Sequence, residues 1–122
     1  MVGIQERAKG GKVKPMALTK LFKETVASRI QRDKSFRKEL LREGVESLVQ
    51  GELDEAKILL RDFIHATIGF GALSEATEIP VKSLMRMFGP NGNPQAKNLL
   101  QVIAYLQQHE GIRLLVKPSR VA

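Results

Sequence analysis

Three prolines fall within the fifteen residues of PVKSLMRMFGPNGNP, from Pro80 to Pro94, and they limit what this chain can build. Proline suits the first turn of a helix but breaks a helix interior, because it lacks the N–H and clashes with the preceding turn. A helix opened by Pro80 must therefore stop before Pro90, which leaves room for about two turns. Val81 to Phe88 fits that space. Just upstream, Ala72 to Thr77 forms a second short piece with apolar periodicity, and Glu78-Ile79-Pro80 joins the two. Two short helices separated by a three-residue turn are the plan of a helix-turn-helix, in which one helix holds the other and leaves its outer face free.

The rest of the chain reads as helices around this pair. Leu18, Leu21, Phe22, Val26 and Ile30 recur at helical spacing, as do Phe36, Leu40, Leu41, Val45, Leu48 and Val49, with Asp33 or Ser35 available as an N-cap. Gly44 weakens that second helix unless a close helix contact requires it, and Gly51 is placed to end it. From Glu52 a third helix carries Leu53, Ala56, Leu59, Leu60, Phe63, Ile64 and Thr67 on one broad face. A last helix over Gln95 to His109 turns Leu99, Leu100, Val102, Ile103 and Leu106 inward, and Gly111 closes it. The branched residues of Ile112 to Val116 predict a short strand. The expected fold is all-α, a bundle of five to six helices containing a helix-turn-helix, with a short C-terminal strand. The expected layout is a flexible basic arm over 1–15, a helical extension over 16–50, a DNA-binding unit over 51–116 and a flexible tail over 117–122.

Charge narrows the class of partner. With 20 Lys and Arg against 13 Asp and Glu the chain carries +7, which favours a polyanionic or acidic partner. Its placement is more telling than its total. Residues 15–68 hold nearly balanced charge, whereas Ile79 to His109 contains Lys82, Arg86 and Lys97 and no acidic residue. The absence of cysteine excludes disulfides and thiolate chemistry, and two histidines, His65 and His109, do not form a zinc-ligand cluster. Neither a membrane-spanning stretch nor a secretory leader is expected, so the chain reads as cytoplasmic.

Within the motif, Leu73, Ala76, Ile79, Leu84 and Met87 or Phe88 have the spacing of a small shared core. Val81, Lys82, Met85 and Arg86 are left pointing outward, two cations beside two apolar side chains, a set suited to phosphate or guanine contacts next to thymine methyl groups. In GPNGNP and the helix start that follows, Asn91, Asn93, Lys97 and Asn98 could bond phosphates, although proline, glycine and asparagine are also ordinary turn formers.

The segment ALSEATEIPVKSLMRMFGPNGNPQAKNLLQVIAYL, followed by GIRLLV, resembles Cro and C1 type helix-turn-helix domains, and especially the addiction-module antidote proteins related to such repressors. Leu73, Ser74 and Glu75 match its first motif helix. Ile79, Pro80, Val81, Lys82, Leu84 and Arg86 match its recognition segment, Asn93-Pro94 the pair before its fourth helix, and Leu99-Leu100 the leucine pair within it. The match spans roughly Asp54 to Val116. Two positions depart from the pattern: Glu78 stands where the turn usually has glycine, and Phe70 stands where a glutamine often opens the first motif helix. The resemblance implies double-stranded DNA as ligand, transcriptional repression by a homodimer, and a cognate toxin protein as a possible partner. The helices from Leu18 to Gln50 lie outside the repressor core and are candidates for a dimerisation unit; pairing of the two C-terminal strands of a homodimer is the other candidate interface.

No catalytic chemistry, cofactor or metal is expected. His65 reads as a packed or partly exposed histidine, His109 as a helix-end residue, and Asp54, Glu55 and Asp62 as surface ion pairs with Lys57 and Arg61. The alternative class of function is a helical interaction module that covers a toxin or other partner without tight operator binding.

Overall fold

The structure, a computed structural model, describes residues 25–121. The basic arm and Leu18, Leu21 and Phe22 of the first expected helix lie outside the described residues. Helical backbone over 25–32 (α1) is followed by α2 (Lys34–Val49), α3 (Leu53–Ala66), α4 (Phe70–Thr77), α5 (Val81–Met87) and α6 (Ala96–Glu110). One apolar cluster runs through them: Ile30 of α1, Leu41 of α2, Leu60, Phe63 and Ile64 of α3, Leu73 of α4, Leu84 of α5, and Val102 and Leu106 of α6 are all buried.

The helix starts and stops follow local chemistry. Asp33 caps α2 by accepting the Phe36 N–H at 3.1 Å. Gly51, at φ +85°, turns the chain from α2 into α3, and Gly111, at φ +70°, ends α6. The α2–α3 pair is the main packing interface, and Gly44 is the reason it closes. A Cβ there would lie 2.9 Å from Leu60 Cδ2, inside contact distance, so only a glycine lets the helices meet this closely.

Arg37 joins three elements. Its Nε donates to Glu110 Oε1 at 2.7 Å, and its Nη1 donates to the Ile30 and Gln31 carbonyls at 3.0 Å each. The Glu110 side chain is only 5% exposed, so this pair works in a partly dry setting at the end of α6. A carboxylate at a helix C-terminus opposes the helix dipole, and the guanidinium offsets that.

Several expectations are corrected. The C-terminal strand is absent, and no strand occurs among the described residues. Ile112 and Leu114 do turn toward the core while Leu115 and Val116 are 82% and 86% exposed, which is the alternation that suggests a strand. The mate, however, is a helix. Gln107 accepts the Ile112 N–H through its carbonyl at 3.0 Å and the Leu114 N–H through Oε1 at 2.8 Å, replacing the ladder a neighbouring strand would supply. Val49 and Leu100, expected inward, are 69% and 63% exposed, since each sits at the edge of its helix's apolar stripe. The helix α4 begins at Phe70, earlier than expected, because Gly69 at φ +82° starts it and its carbonyl accepts the Leu73 N–H.

Candidate nucleic-acid interface

The residues of α4 and α5 make a compact two-helix unit. Leu73, Ile79, Leu84, Met87 and Phe88 are buried, whereas Ala76, expected in the same small core, is exposed. Thr77 takes the inward place instead. It is 4% exposed, and its hydroxyl donates to the Leu73 carbonyl at 2.8 Å, which satisfies it inside the helix.

The turn between the helices is tight. Glu78 adopts φ 62°, ψ 21°, the only positive φ at a non-glycine residue among those described. A left-handed conformation costs a residue with a Cβ about 1–2 kcal/mol. It is held by the Glu78 N–H donating to the Ser74 carbonyl at 2.7 Å and by the Ser74 hydroxyl donating to the Ile79 carbonyl at 2.6 Å. The α6 side chain of Gln101 adds a bond to the Thr77 carbonyl at 2.8 Å, tying the turn to the last helix.

Beyond the turn, α5 presents a clean division of faces. Leu84 and Met87 point in, while Val81 and Met85 are 38% and 51% exposed and Lys82 and Arg86 are also exposed. Residues four apart stack on a helix surface, so Lys82 and Arg86 form a cationic ridge and Val81 and Met85 an apolar one. The side chains of Lys82, Arg86 and Lys97 make no ion pair or hydrogen bond among the described residues. Their charge is therefore not neutralised from within.

The loop after α5 is pinned over its end. A Cβ on Gly92 would fall on the Arg86 carbonyl oxygen, at 1.9 Å, and 2.8 Å from that of Met87, so the loop backbone lies directly against the last turn of α5. Lys57 of α3 fixes it there. This lysine is 4% exposed, and its Nζ donates to the Gly92 carbonyl at 2.8 Å and to the Pro90 carbonyl at 3.4 Å. Its carboxylate neighbour Asp54 is 3.7 Å away with its side chain 93% exposed, so Lys57 is a loop anchor more than the surface ion pair expected of it. Asn91 and Asn93, on either side of Gly92, are thereby carried to the C-terminal end of α5, both exposed. Lys97 is exposed in the first turn of α6 and Asn98 is half-buried.

The sequence carried one signal for Lys57. It lies on the apolar stripe of α3, four residues after Leu53 and three before Leu60, where a lysine needs internal partners.

Met85 also borders a cleft of about 780 Å³ between α1, α3 and α5, so one of the four outward residues is shared between two surfaces. His65 lies on that cleft with its ring edge-on to Phe70, centroids 4.9 Å apart. Among the described residues no group of histidines and carboxylates could hold a metal ion, and no helix is long and apolar enough to cross a membrane. No family model, no curated protein and no solved structure matches the chain.

Proposed function

We propose that this protein is a sequence-specific double-stranded DNA-binding regulator of repressor type, with α5 as the recognition helix in the major groove. The observation that carries the reading is the face of α5. It exposes Val81, Lys82, Met85 and Arg86, with both cations unpaired, on a helix anchored from behind by Leu84 and Met87. The tight Glu78 turn and the absence of Asp or Glu from Ile79 to His109 support it. The resemblance to addiction-module antidotes supports it further and makes a cognate toxin a candidate second partner.

In this mechanism Arg86 is placed to read a base edge, bidentate to guanine, while Lys82, Lys97, Asn91, Asn93 and Asn98 hold phosphates and Val81 and Met85 meet thymine methyl groups. One short helix reads few base pairs. Repressors of this plan gain specificity as dimers on half-sites about 34–36 Å apart, and a homodimer is part of the proposal. With no C-terminal strand to pair, the 16–50 extension is the contact segment.

Selection of bound sites from random duplex DNA, under competition from non-specific DNA, tests the function. An enriched two-fold-related motif is expected. Recovery of no motif, with Arg86→Ala binding every duplex like the parent, removes α5 from the role.

One feature favours a second reading, an interaction module for a basic protein. A groove between α2 and α3 carries Glu43, Glu52 and Glu55 beside Ile58, and these three carboxylates have no ion pair among the described residues. Site selection that fails while a cationic protein partner co-purifies in fixed stoichiometry would favour that reading.

A further inference from the structure

Glu78, at φ 62°, occupies a backbone region that asparagine, aspartate and histidine visit more readily than glutamate. Glycine would sit there without strain. The bonds that hold the turn engage the main chain of residues 77–79, and none of them uses the Glu78 side chain. That side chain is exposed, and its carboxylate makes no ion pair or hydrogen bond among the described residues. The fold thus carries a strained residue whose charged group it does not use, and strain of this kind collects at sites of function.

Two neighbours put the residue at the edge of the DNA surface assigned above. Val81, the first residue of α5, follows three positions later, so their Cα atoms lie within about 11 Å of each other. On the other side, Gln101 donates to the carbonyl of Thr77, the residue before Glu78, and Lys97 stands one helical turn from Gln101 on the same side of α6. Glu78 therefore lies just ahead of the acid-free stretch that begins at Ile79, between the start of α5 and a proposed phosphate contact.

We propose that Glu78 reads sequence by accepting a hydrogen bond from a cytosine N4 amino group. The assignment rests on the reading of α5 as the recognition helix, whose first residues meet base edges. A carboxylate accepts hydrogen bonds and donates none, and phosphates repel it, so on a duplex its partners are the amino groups in the major groove. Adenine sets its acceptor N7 beside its amino group, whereas cytosine offers the amino group alone. Guanine and thymine present acceptors there and are turned away by repulsion. The carboxylate thereby adds discrimination that the cations of α5 do not supply.

Site selection from random duplex DNA is run on the parent, Glu78→Gln, Glu78→Gly and Glu75→Gln, the last altering a second exposed, unpartnered carboxylate on α4. The parent motif should hold cytosine at one fixed position. Glu78→Gln keeps the Cβ and the strained turn, and its amide suits adenine N6 and N7, so that position should shift from cytosine toward adenine. Glu78→Gly should flatten it, losing roughly 5- to 100-fold of the preference for cytosine, while melting no lower than the parent. Glu75→Gln should return the parent motif. Should Glu78→Gly lose all binding, Glu78→Gln alone decides. A parent motif returned unchanged by Glu78→Gln overturns the proposal and leaves the reading of α5 standing. The same shift from Glu75→Gln also overturns it, because the contact then belongs to α4. A parent that selects no motif refutes the reading of α5 and this inference with it.

Discussion

Lys57 shows how one side chain can control a surface it does not belong to. Its ammonium holds the Gly92 and Pro90 carbonyls from α3, and the loop it holds presses on the last turn of α5. Lys57→Met keeps the stem and removes both bonds, and hydrogen bonds to charged groups contribute roughly 1.5–3 kcal/mol. A drop of that size in unfolding free energy from urea titration is expected, with weaker cognate DNA binding. Gly92→Ala should do more. Its Cβ meets backbone oxygens that cannot swing aside, so a loss of at least about 2 kcal/mol is expected in the same titration. Glu78→Gly works in the other direction, relieving the left-handed turn. After the added chain entropy of glycine, a net gain of roughly 0.5–1 kcal/mol should raise the melting temperature. The position of Glu78 in the turn between the two short helices was legible in the sequence. Its backbone conformation was not, because right-handed and left-handed turns differ in contacts that only the folded Ser74, Ile79 and Gln101 supply.

At the scale of elements, periodicity and punctuation located the helices well: the stripes of α2, α5 and α6 run out at Gly51, Gly89 and Gly111, whereas α1 gives way at Asp33 and α4 at the left-handed Glu78. Stripe edges were less legible. Val49 and Leu100 are as apolar as their buried neighbours, and only the angle at which a helix meets the core decides that they face out. Ala76 and Thr77 exchange roles for the same reason, because an i to i−4 hydroxyl bond makes threonine acceptable inside. The strand expectation failed through topology: alternation was present, but the partner is a glutamine side chain on α6. Gly44 was readable as a close contact, and Gly44→Val tests how close. Valine meets Leu60, itself fully buried, and should cost roughly 2–3 kcal/mol, seen as a lower urea midpoint with unchanged slope. Arg37→Ala should cost about 3 kcal/mol, because it strands the buried Glu110 carboxylate and uncaps α1 at once.

Over the whole molecule, opposite charges are sorted onto different parts. The stretch from Ile79 to His109 has no acid, whereas the α2–α3 groove holds carboxylates and Arg42 is already shared between Glu39 and Glu46 at 3.0 Å each. A protein built this way should approach DNA in one orientation. Affinity for random duplex should fall steeply with salt, with a log–log slope near 0.9 per phosphate neutralised. Lys97→Ala should weaken specific and random duplex alike in mobility-shift titrations, while Arg86→Ala should also blur the preferred sequence.

The brevity of α5 has a kinetic meaning. Seven residues are too few to sustain a helix in water by themselves, since nucleation is costly and an isolated helix of this length is almost wholly unwound. Its shape is lent by its surroundings: Leu84 and Met87 in the core, the strained turn at one end and the clamped loop at the other. The backbone amides of α5 therefore have no private route of opening that leaves the domain intact. Their hydrogen-exchange protection should track that of α3 instead of fraying as short terminal helices do.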